Sequence, residues 1–287
     1  MPQRFITLKS RAKINLYLDV VNKRDDGYHD ISTILTPLSL HDSITLKKDD
    51  AITVSCDKSA VPTDNTNLAF IAAKLFFDEG GIKSGVHIDI QKNIPVAAGL
   101  GGGSSNAATT LIGLNKLFDS PLPKEKLIKI AEKIGADVPF FIESKSVYAE
   151  GIGNIFVYYP TLPTLYFILI NPGFSVSAKF AYDNLKLPKE HKNNIGKEVL
   201  DSLNTSVDVA LILKNSLEEP VINKYPILLD IKAELIKQQG CMGALMSGSG
   251  PTVFGLYEDA RSASLAMQKI KSAMPDFWVH LTSNKLF

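Results

Sequence analysis

Alternation of apolar and polar side chains predicts a long β-strand near the start of the chain, over residues 12–21. The even-numbered residues along it are apolar, namely Ile14, Leu16, Leu18 and Val20. Lys13 and Asn15 stand between them and project together from the opposite face, because side chains alternate along a strand. A shorter strand is predicted before it, at residues 5–9, and a turn at Asp26-Gly27 follows it.

The rest of the chain mixes strand and helix periodicities. Further strands are predicted at residues 44–47, 52–56, 86–90, 147–149, 155–158, 166–170, 244–246, 252–257 and 277–281. Helices are predicted at residues 67–79, 106–117, 124–134, 178–185, 199–203, 207–213, 227–239 and 259–273. Runs of strands beside clustered helices indicate an α+β fold with two layers in each half. The segment between Pro160 and Pro163 predicts a boundary between domains of residues 1–160 and 161–287.

Composition narrows the functional classes. The 287 residues are 45% hydrophobic and 21% charged, which is typical of a globular protein. A formal net charge of +1 argues against a dedicated nucleic-acid binder, which carries a large basic excess. The first ten residues lack the apolar segment of a secretory signal, and the apolar run at residues 165–170 is too short to span a bilayer. These features predict a soluble, cytoplasmic protein.

Metal and hydrolase motifs give no alternative chemistry. The two cysteines, Cys56 and Cys241, are far apart and have no zinc-like spacing, so two free thiols are expected. Neither a zinc-protease H-E-x-x-H motif nor a G-x-S-x-G nucleophile elbow occurs.

A glycine-rich loop before the predicted helix at residues 106–117 is the strongest chemical signal. Four glycines occur between Gly99 and Gly103, and Ser104 and Ser105 follow them. Glycine allows a ligand to approach the backbone, and the first N–H groups of a helix attract anions. The loop matches neither the Walker A pattern nor the dinucleotide-binding pattern, but it predicts a phosphate site. The alternative is a tight turn with Ser104 or Ser105 capping the helix.

Other candidate residues are ambiguous when each is taken by itself. Lys13 could lie on a solvated strand face, and Asp137 could cap the helix that follows it. Tyr28 and His29 could stack on and hydrogen-bond to a base, or could simply decorate a loop. Lys13 and Asp137 are far apart in sequence, so spacing does not show that they meet.

Taken in order, the motifs closely resemble the GHMP kinase superfamily over nearly the whole chain. They are the segments Ala12-Lys13-Ile14-Asn15-Leu16, Arg24-Asp25-Asp26-Gly27-Tyr28-His29, Gly99-Leu100-Gly101-Gly102-Gly103-Ser104-Ser105-Asn106-Ala107-Ala108, Gly135-Ala136-Asp137-Val138-Pro139-Phe140-Phe141 and Met246-Ser247-Gly248-Ser249-Gly250-Pro251-Thr252. The two glycine loops mark the superfamily. The second and fourth segments are more specific, and they resemble the branch that phosphorylates a cytidine diphosphate-linked polyol.

The resemblance implies a two-domain GHMP kinase fold with the active site in the cleft between the domains. It implies ATP-dependent transfer of phosphate to the 2-hydroxyl of that polyol, in the non-mevalonate route to isoprenoid precursors. Mg²⁺ is expected with ATP, without assigned protein ligands. A monomer or a homodimer is expected, without nucleic acid or membrane partners.

The resemblance also carries roles to individual positions. Lys13 and Asp137 correspond to the catalytic pair. Asn15, Tyr28, His29 and Tyr182 correspond to substrate-binding residues, with His29 reading the cytosine and Tyr182 lying against its ring. The residues corresponding to the ATP phosphate loop are Pro95, Val96, Ala97, Ala98, Gly99, Leu100, Gly101, Gly102, Gly103, Ser104 and Ser105.

Three positions depart from the pattern of that branch. Ala178 stands where Thr is common, Asn154 where Glu is usual and Ser216 where Asp is usual. These changes leave Lys13, Asp137 and the glycine loop intact. Two other functions stay open: a GHMP kinase for homoserine or mevalonate, and a nucleotide-binding regulator without catalysis. The turn at Tyr28-His29 together with Tyr182 favours a nucleobase-containing substrate over a small alcohol.

Overall fold

A computed structural model describes residues 5–187, 195 and 197–286. Its strands are β1 (Phe5–Lys23), β2 (His29–Asp49), β3 (Ile52–Cys56), β4 (Gly85–Gln91), β5 (Val147–Glu150), β6 (Ile155–Tyr158), β7 (Tyr166–Asn171), β8 (Lys214–Asn215), β9 (Cys241–Met246), β10 (Val253–Tyr257) and β11 (Trp278–Ser283). Its helices are α1 (Leu68–Gly80), α2 (Gly102–Leu117), α3 (Lys124–Ile134), α4 (Val138–Glu143), α5 (Ala178–Asp183), α6 (Lys197–Asp201), α7 (Ser206–Leu211), α8 (Glu218–Lys224), α9 (Ile227–Lys237) and α10 (Ala260–Ala273).

The chain forms two compact units that alternate along the sequence. The first contains the chain up to Ala12, Leu40–Val96 and Gly101–Lys145; the second contains Lys13–Ser39, Ala97–Leu100 and Ser146 onwards. Strands β1 and β2 therefore contribute residues to both units. This division differs from a split at residue 160, which stays a prediction about domains.

In the first unit, helices cover one face of a small sheet. The second half of β2 pairs antiparallel with β4, from Ser43 opposite Gln91 to Asp49 opposite Gly85, and β3 runs parallel to β4. Helix α2 lies close to this sheet at Gly113, where a Cβ would come within 2.5 Å of the Leu46 side chain. Leu46 is fully buried, so the missing side chain at Gly113 lets the helix pack tightly on the strand.

In the second unit, an antiparallel sheet packs against helices. Its strand order is β11-β7-β10-β9. Helices α9 and α10 contact this sheet, and their buried residues, among them Leu235 and Ile270, join one hydrophobic core with strand residues such as Ile168. The first half of β2 pairs antiparallel with β5, and β5 pairs with β6. Short β8 runs parallel to β1, with Tyr17 opposite Lys214.

The α+β prediction is confirmed, and most predicted elements are present. The two predicted N-terminal strands are one strand, β1. Most of β2 was missed, because residues 31–38 are buried on both faces and include Pro37, which hides the alternation. Helix α8 was also missed, and the helix expected after Asp137, α4, was not given bounds, because each is short and carries a proline near its start.

Among the described residues, none of the helices is both long enough and apolar enough to cross a bilayer.

Candidate active site

Strand β1 carries a buried lysine side chain, Lys13, in the second unit. Residues 12–20 of β1 are buried on both faces, so the polar face that the sequence predicted is not a solvated surface. Lys13 is only 5% exposed, and its Nζ donates a hydrogen bond to Asn15 Oδ1 over 2.7 Å. A buried ammonium needs polar partners, because removal from water disfavours the charge. The solvated-face interpretation of Lys13 is therefore wrong.

Asn15 is itself oriented by a hydrogen-bond chain within the same unit. Its Nδ2 donates to Thr33 Oγ1 over 2.9 Å, and that hydroxyl donates to the Tyr17 carbonyl over 2.7 Å. Because the Asn15 amide group gives its N–H to Thr33, its oxygen faces Lys13. Thr33 lies in the part of β2 that the periodicity missed, so no sequence signal marked it as part of the site.

The first part of the glycine-rich loop lies against β1 in the second unit. The Lys13 N–H donates to the Leu100 carbonyl over 3.0 Å. Ala97, Gly99 and Gly101 have positive φ, of 51°, 75° and 69°. A positive φ is rare for residues with a Cβ, so Gly99 and Gly101 allow a backbone conformation that most other residues would adopt only with strain.

The late Gly-Ser-Gly loop, residues 247–250, packs against this part of the glycine-rich loop. Ser247 Oγ donates to the Gly99 carbonyl over 2.9 Å. A Cβ at Gly248 would lie 3.4 Å from Asn15 Oδ1 and 3.5 Å from Lys13 Nζ. Two loops that are 148 residues apart thus meet beside the buried ammonium of Lys13. We call residues 13–15, 97–100 and 247–250 the lysine site.

Gly99→Ala should damage this packing. The added Cβ would lie 2.1 Å from the Ser247 carbonyl oxygen, with φ at +75°. Overpacking and backbone strain each cost about 1–3 kcal/mol, so we expect a loss of that order in the free energy of unfolding. Urea unfolding measures it. The control is Gly81→Ala, with φ at +61° and no atom within 4 Å of the added Cβ. Equal losses in the two variants would show that the contact with Ser247 is unimportant.

The second part of the glycine-rich loop opens α2 in the first unit. The helix begins at Gly102, and Gly101 is its N-cap without a side-chain hydrogen bond. The expectation that Ser104 or Ser105 caps the helix is therefore wrong, since both lie inside its first turn. The N–H groups of Gly102, Gly103 and Ser104 precede the first intrahelical bond, which Ser105 makes to Gly101. N–H groups at a helix N-terminus can donate hydrogen bonds to an anion, so phosphate binding here stays a prediction.

Ser105 itself is turned into the protein. It is 1% exposed, and its hydroxyl accepts a hydrogen bond from Ser10 over 2.9 Å. Asn106 Nδ2 donates to Ser10 Oγ and to Asp42 Oδ2, and Lys92 forms an ion pair with Asp42. The side chain of Ser105 thus anchors the start of α2, and a contact of Ser105 with ATP stays a prediction.

Asp137 also belongs to the first unit, at the N-cap position of α4. Its side chain makes no capping hydrogen bond to the helix. The interpretation of Asp137 as a simple helix cap is therefore wrong, although its place before α4 was expected. Pairing of Asp137 with Lys13 stays a prediction.

Two of the predicted substrate residues meet in the second unit. The rings of His29 and Tyr182 stack with centroids 5.0 Å apart and an interplanar angle of 26°. Tyr182 comes from α5, whose residue Ala181 is buried in the core. Burial, and then the nearby charge of Lys23, lower the pKa of His29. A neutral imidazole can both donate and accept a hydrogen bond, which suits an uncharged base.

Tyr28, another of the four predicted substrate residues, is placed differently. Tyr28 is 60% exposed and lies outside the His29–Tyr182 ring pair. Its backbone closes the turn: the Arg24 N–H donates to the Tyr28 carbonyl over 2.8 Å, and the Tyr28 N–H donates to Asp26 Oδ1 over 3.1 Å. The turn thus presents the Tyr28 ring to solvent while it holds His29 at the start of β2.

Comparison with known proteins shows the family of this chain. The model for the N-terminal domain of GHMP kinases matches residues 67–145, and the model for their C-terminal domain matches residues 196–276. The 4-diphosphocytidyl-2-C-methyl-D-erythritol kinase of Pelobacter propionicus is 43% identical over 92% of this chain and 94% of its own. The chain belongs to this kinase family. The relative of the same name from Clostridium perfringens is also 43% identical, over 96% of both chains.

Solved structures agree with the family assignment. A crystal structure of a 4-(cytidine 5'-diphospho)-2C-methyl-D-erythritol kinase matches with a TM-score of 0.80 and 32% identity, over 96% of this chain and 99% of the other. A homoserine kinase from Cytophaga hutchinsonii matches with a TM-score of 0.77 at 18% identity, covering 100% and 96%. At that identity the second match supports only the shared GHMP kinase fold.

Proposed function

We propose that the protein transfers the γ-phosphate of ATP to the 2-hydroxyl of 4-diphosphocytidyl-2-C-methyl-D-erythritol, a step towards isoprenoid precursors. Membership of the family supports the reaction. Among the observed contacts, the stacked rings of His29 and Tyr182 are the one that favours the cytidylyl substrate. They offer a flat, partly apolar surface for a base, which homoserine and mevalonate lack.

Phosphate binding is assigned to backbone groups. Phosphoryl transfer has a loose transition state, so positioning and charge stabilisation dominate. We assign the β- and γ-phosphates to the N–H groups at the start of α2, with the turn at Gly99 shaping the loop. Charge-assisted hydrogen bonds of this kind are worth about 1.5–3 kcal/mol each.

The two ionic side chains take different roles. Asp137 accepts the proton of the substrate hydroxyl or orients that hydroxyl for attack. Lys13, held by Asn15, offsets the negative charge that develops on the attacking oxygen.

Mg²⁺ accompanies ATP in this proposal. Within the described part of the chain, no group of three or more His, Cys, Asp or Glu side chains could hold a metal ion. Mg²⁺ usually keeps several waters and binds to substrate phosphates. We therefore assign most of its ligands to ATP and water.

A direct assay separates this function from its alternatives. The purified protein is incubated with ATP, Mg²⁺ and, in turn, the cytidylyl substrate, homoserine and mevalonate, and ³¹P NMR follows ADP and the new phosphate ester. We expect turnover with the cytidylyl substrate. ADP formed with homoserine or mevalonate instead would overturn the proposal. ATP binding without turnover of any alcohol would favour a regulator.

Tyr182→Ala tests the base site. Stacking of a base on an aromatic ring is worth about 1–3 kcal/mol, so KM for the cytidylyl substrate should rise about 5-fold to 150-fold. KM for ATP should stay unchanged. Tyr182→Phe keeps the ring and serves as the matched control, with near-normal kinetics expected. An unchanged KM for the cytidylyl substrate in Tyr182→Ala would remove Tyr182 from the site.

A further inference from the structure

The segment Asn215–Glu218 contacts the lysine site through its hydrogen bonds to the loop at residues 247–250. Strand β8 runs parallel to β1, with Leu18 opposite Asn215, and the Ser216 N–H donates to the Leu18 carbonyl over 2.9 Å. Ser216 Oγ also donates to the buried carboxylate of Asp19 over 2.7 Å. These bonds fix Asn215 beside the strand that carries Lys13.

The Asn215 side chain uses both of its N–H groups on the late glycine loop. Its Nδ2 donates to the Met246 carbonyl over 2.7 Å and to the Gly248 carbonyl over 2.8 Å, and its Oδ1 accepts from the Leu217 N–H over 2.9 Å. Asn215 is only 8% exposed. Glu218 Oε1 also binds the start of this loop, because it accepts a hydrogen bond from the Met246 N–H over 3.0 Å.

The far side of that loop is in contact with the groups assigned to catalysis. Gly248 lies beside Lys13 and Asn15, and Ser247 bonds to the Gly99 carbonyl. A displacement of the loop would therefore disturb the environment of the Lys13 ammonium and the turn of the phosphate loop together. In reactions that depend on alignment, a misplacement of about 1 Å can cost 10²-fold in rate.

We propose that Asn215 is a positioning residue for phosphoryl transfer: by holding the Met246 and Gly248 carbonyls, it sets the loop at residues 247–250 against Lys13 and Gly99. Asn215 acts through the loop and touches neither substrate. The inference rests on the proposed function, because it assigns Asn215 to the alignment of that reaction.

Two variants separate the N–H donors from the rest of the side chain. Asn215→Asp keeps the shape and the acceptor for the Leu217 N–H, but sets one carboxylate oxygen against the Met246 and Gly248 carbonyls in place of the Nδ2 donor. Asn215→Ala removes all three bonds. Measured well below the melting temperature of each variant, kcat should fall about 10-fold to 100-fold in both, while KM for both substrates changes little. Should Asn215→Ala fail to fold, Asn215→Asp supplies the same comparison.

Asn284→Ala is the matched control. Asn284 also braces backbone groups in the second unit, donating to the Pro163 carbonyl over 2.8 Å and accepting from the Leu165 N–H over 2.8 Å. Its loss should lower the melting temperature and leave kcat unchanged. An unchanged kcat in folded Asn215→Asp would overturn the proposal, and so would an equal loss of kcat in Asn284→Ala.

Hydrogen–deuterium exchange tests the anchor without any substrate. Peptides that cover residues 247–250 should exchange faster in the Asn215 variants than in the unmodified protein, and not in Asn284→Ala. Unchanged exchange there would overturn the anchoring itself. If the unmodified protein had no activity with the cytidylyl substrate, the proposed function would be contradicted. Faster exchange at residues 247–250 in the Asn215 variants would still support the anchoring of the loop.

Discussion

Asp137→Asn should lower kcat by a factor of about 10²–10⁴, which is the usual contribution of a general base. The exchange removes the proton acceptor and the charge but keeps the size of the side chain. Asp137 stands at the N-cap position of α4, where Asn is as well accepted as Asp, so the fold should tolerate the change. Initial rates of ADP release at saturating ATP and cytidylyl substrate measure kcat, and thermal unfolding verifies that the variant is folded.

A second aspartate at a helix N-terminus gives the matched control. Asp259 caps α10, and its side chain accepts from the N–H groups of Arg261 and Ser262. Asn is also a good N-cap, so Asp259→Asn should keep both stability and kcat. Near-normal turnover in Asp137→Asn would reject Asp137 both as the base and as the group that orients the hydroxyl.

Lys13→Met should lower kcat by about 10²–10³, comparable to the loss of one preorganised donor to a developing negative charge. Methionine preserves much of the length and apolar stem of the side chain but removes the ammonium. The Asn15 Oδ1 atom then loses the hydrogen bond from Lys13. A buried acceptor left without a donor lowers the free energy of unfolding by about 1–3 kcal/mol as well. Steady-state kinetics should show a much larger effect on kcat than on KM for either substrate.

Lys126→Met controls for the loss of a lysine charge elsewhere. Lys126 is partly exposed and pairs with Glu79 on the surface of the first unit. Surface ion pairs contribute little to stability, and Lys126 has no role in the proposed reaction, so kcat should be unchanged. An effect of Lys13→Met confined to KM would mean that Lys13 only binds substrate and does not stabilise the transition state.

Local patterns predicted the elements wherever one face is apolar and the other is exposed. Helix α3, whose Leu127 and Ile130 are buried, was predicted with its observed bounds. Strand β2 was missed over residues 31–38, where both faces are buried and polar residues such as Ser32 and Thr33 are enclosed as well. Periodicity depends on the alternation of apolar and polar residues in the sequence. It predicted β1 although residues 12–20 are buried on both faces, and it missed residues 31–38 of β2 because apolar and polar residues do not alternate regularly there.

The lysine site was predicted only in part for a similar reason. The glycines of both loops were visible because backbone freedom is a property of the residue itself. Thr33 and Asn215 were not assigned, because a threonine in a strand or an asparagine after a loop is ordinary until its partners are known. Their partners, Asn15 and the carbonyls of Met246 and Gly248, are distant in sequence.

The amino-acid sequence by itself determined the α+β class, the glycine-rich loops and the kinase family, because these depend on periodicity, glycine and the order of motifs. Tertiary structure decided that the polar face of β1 is buried, that Ser105 turns inwards and that His29 stacks on Tyr182. It also decided that Asn215 holds the loop beside Lys13. Each of these depends on hydrogen bonds or ring contacts between remote segments, which local side-chain patterns do not encode.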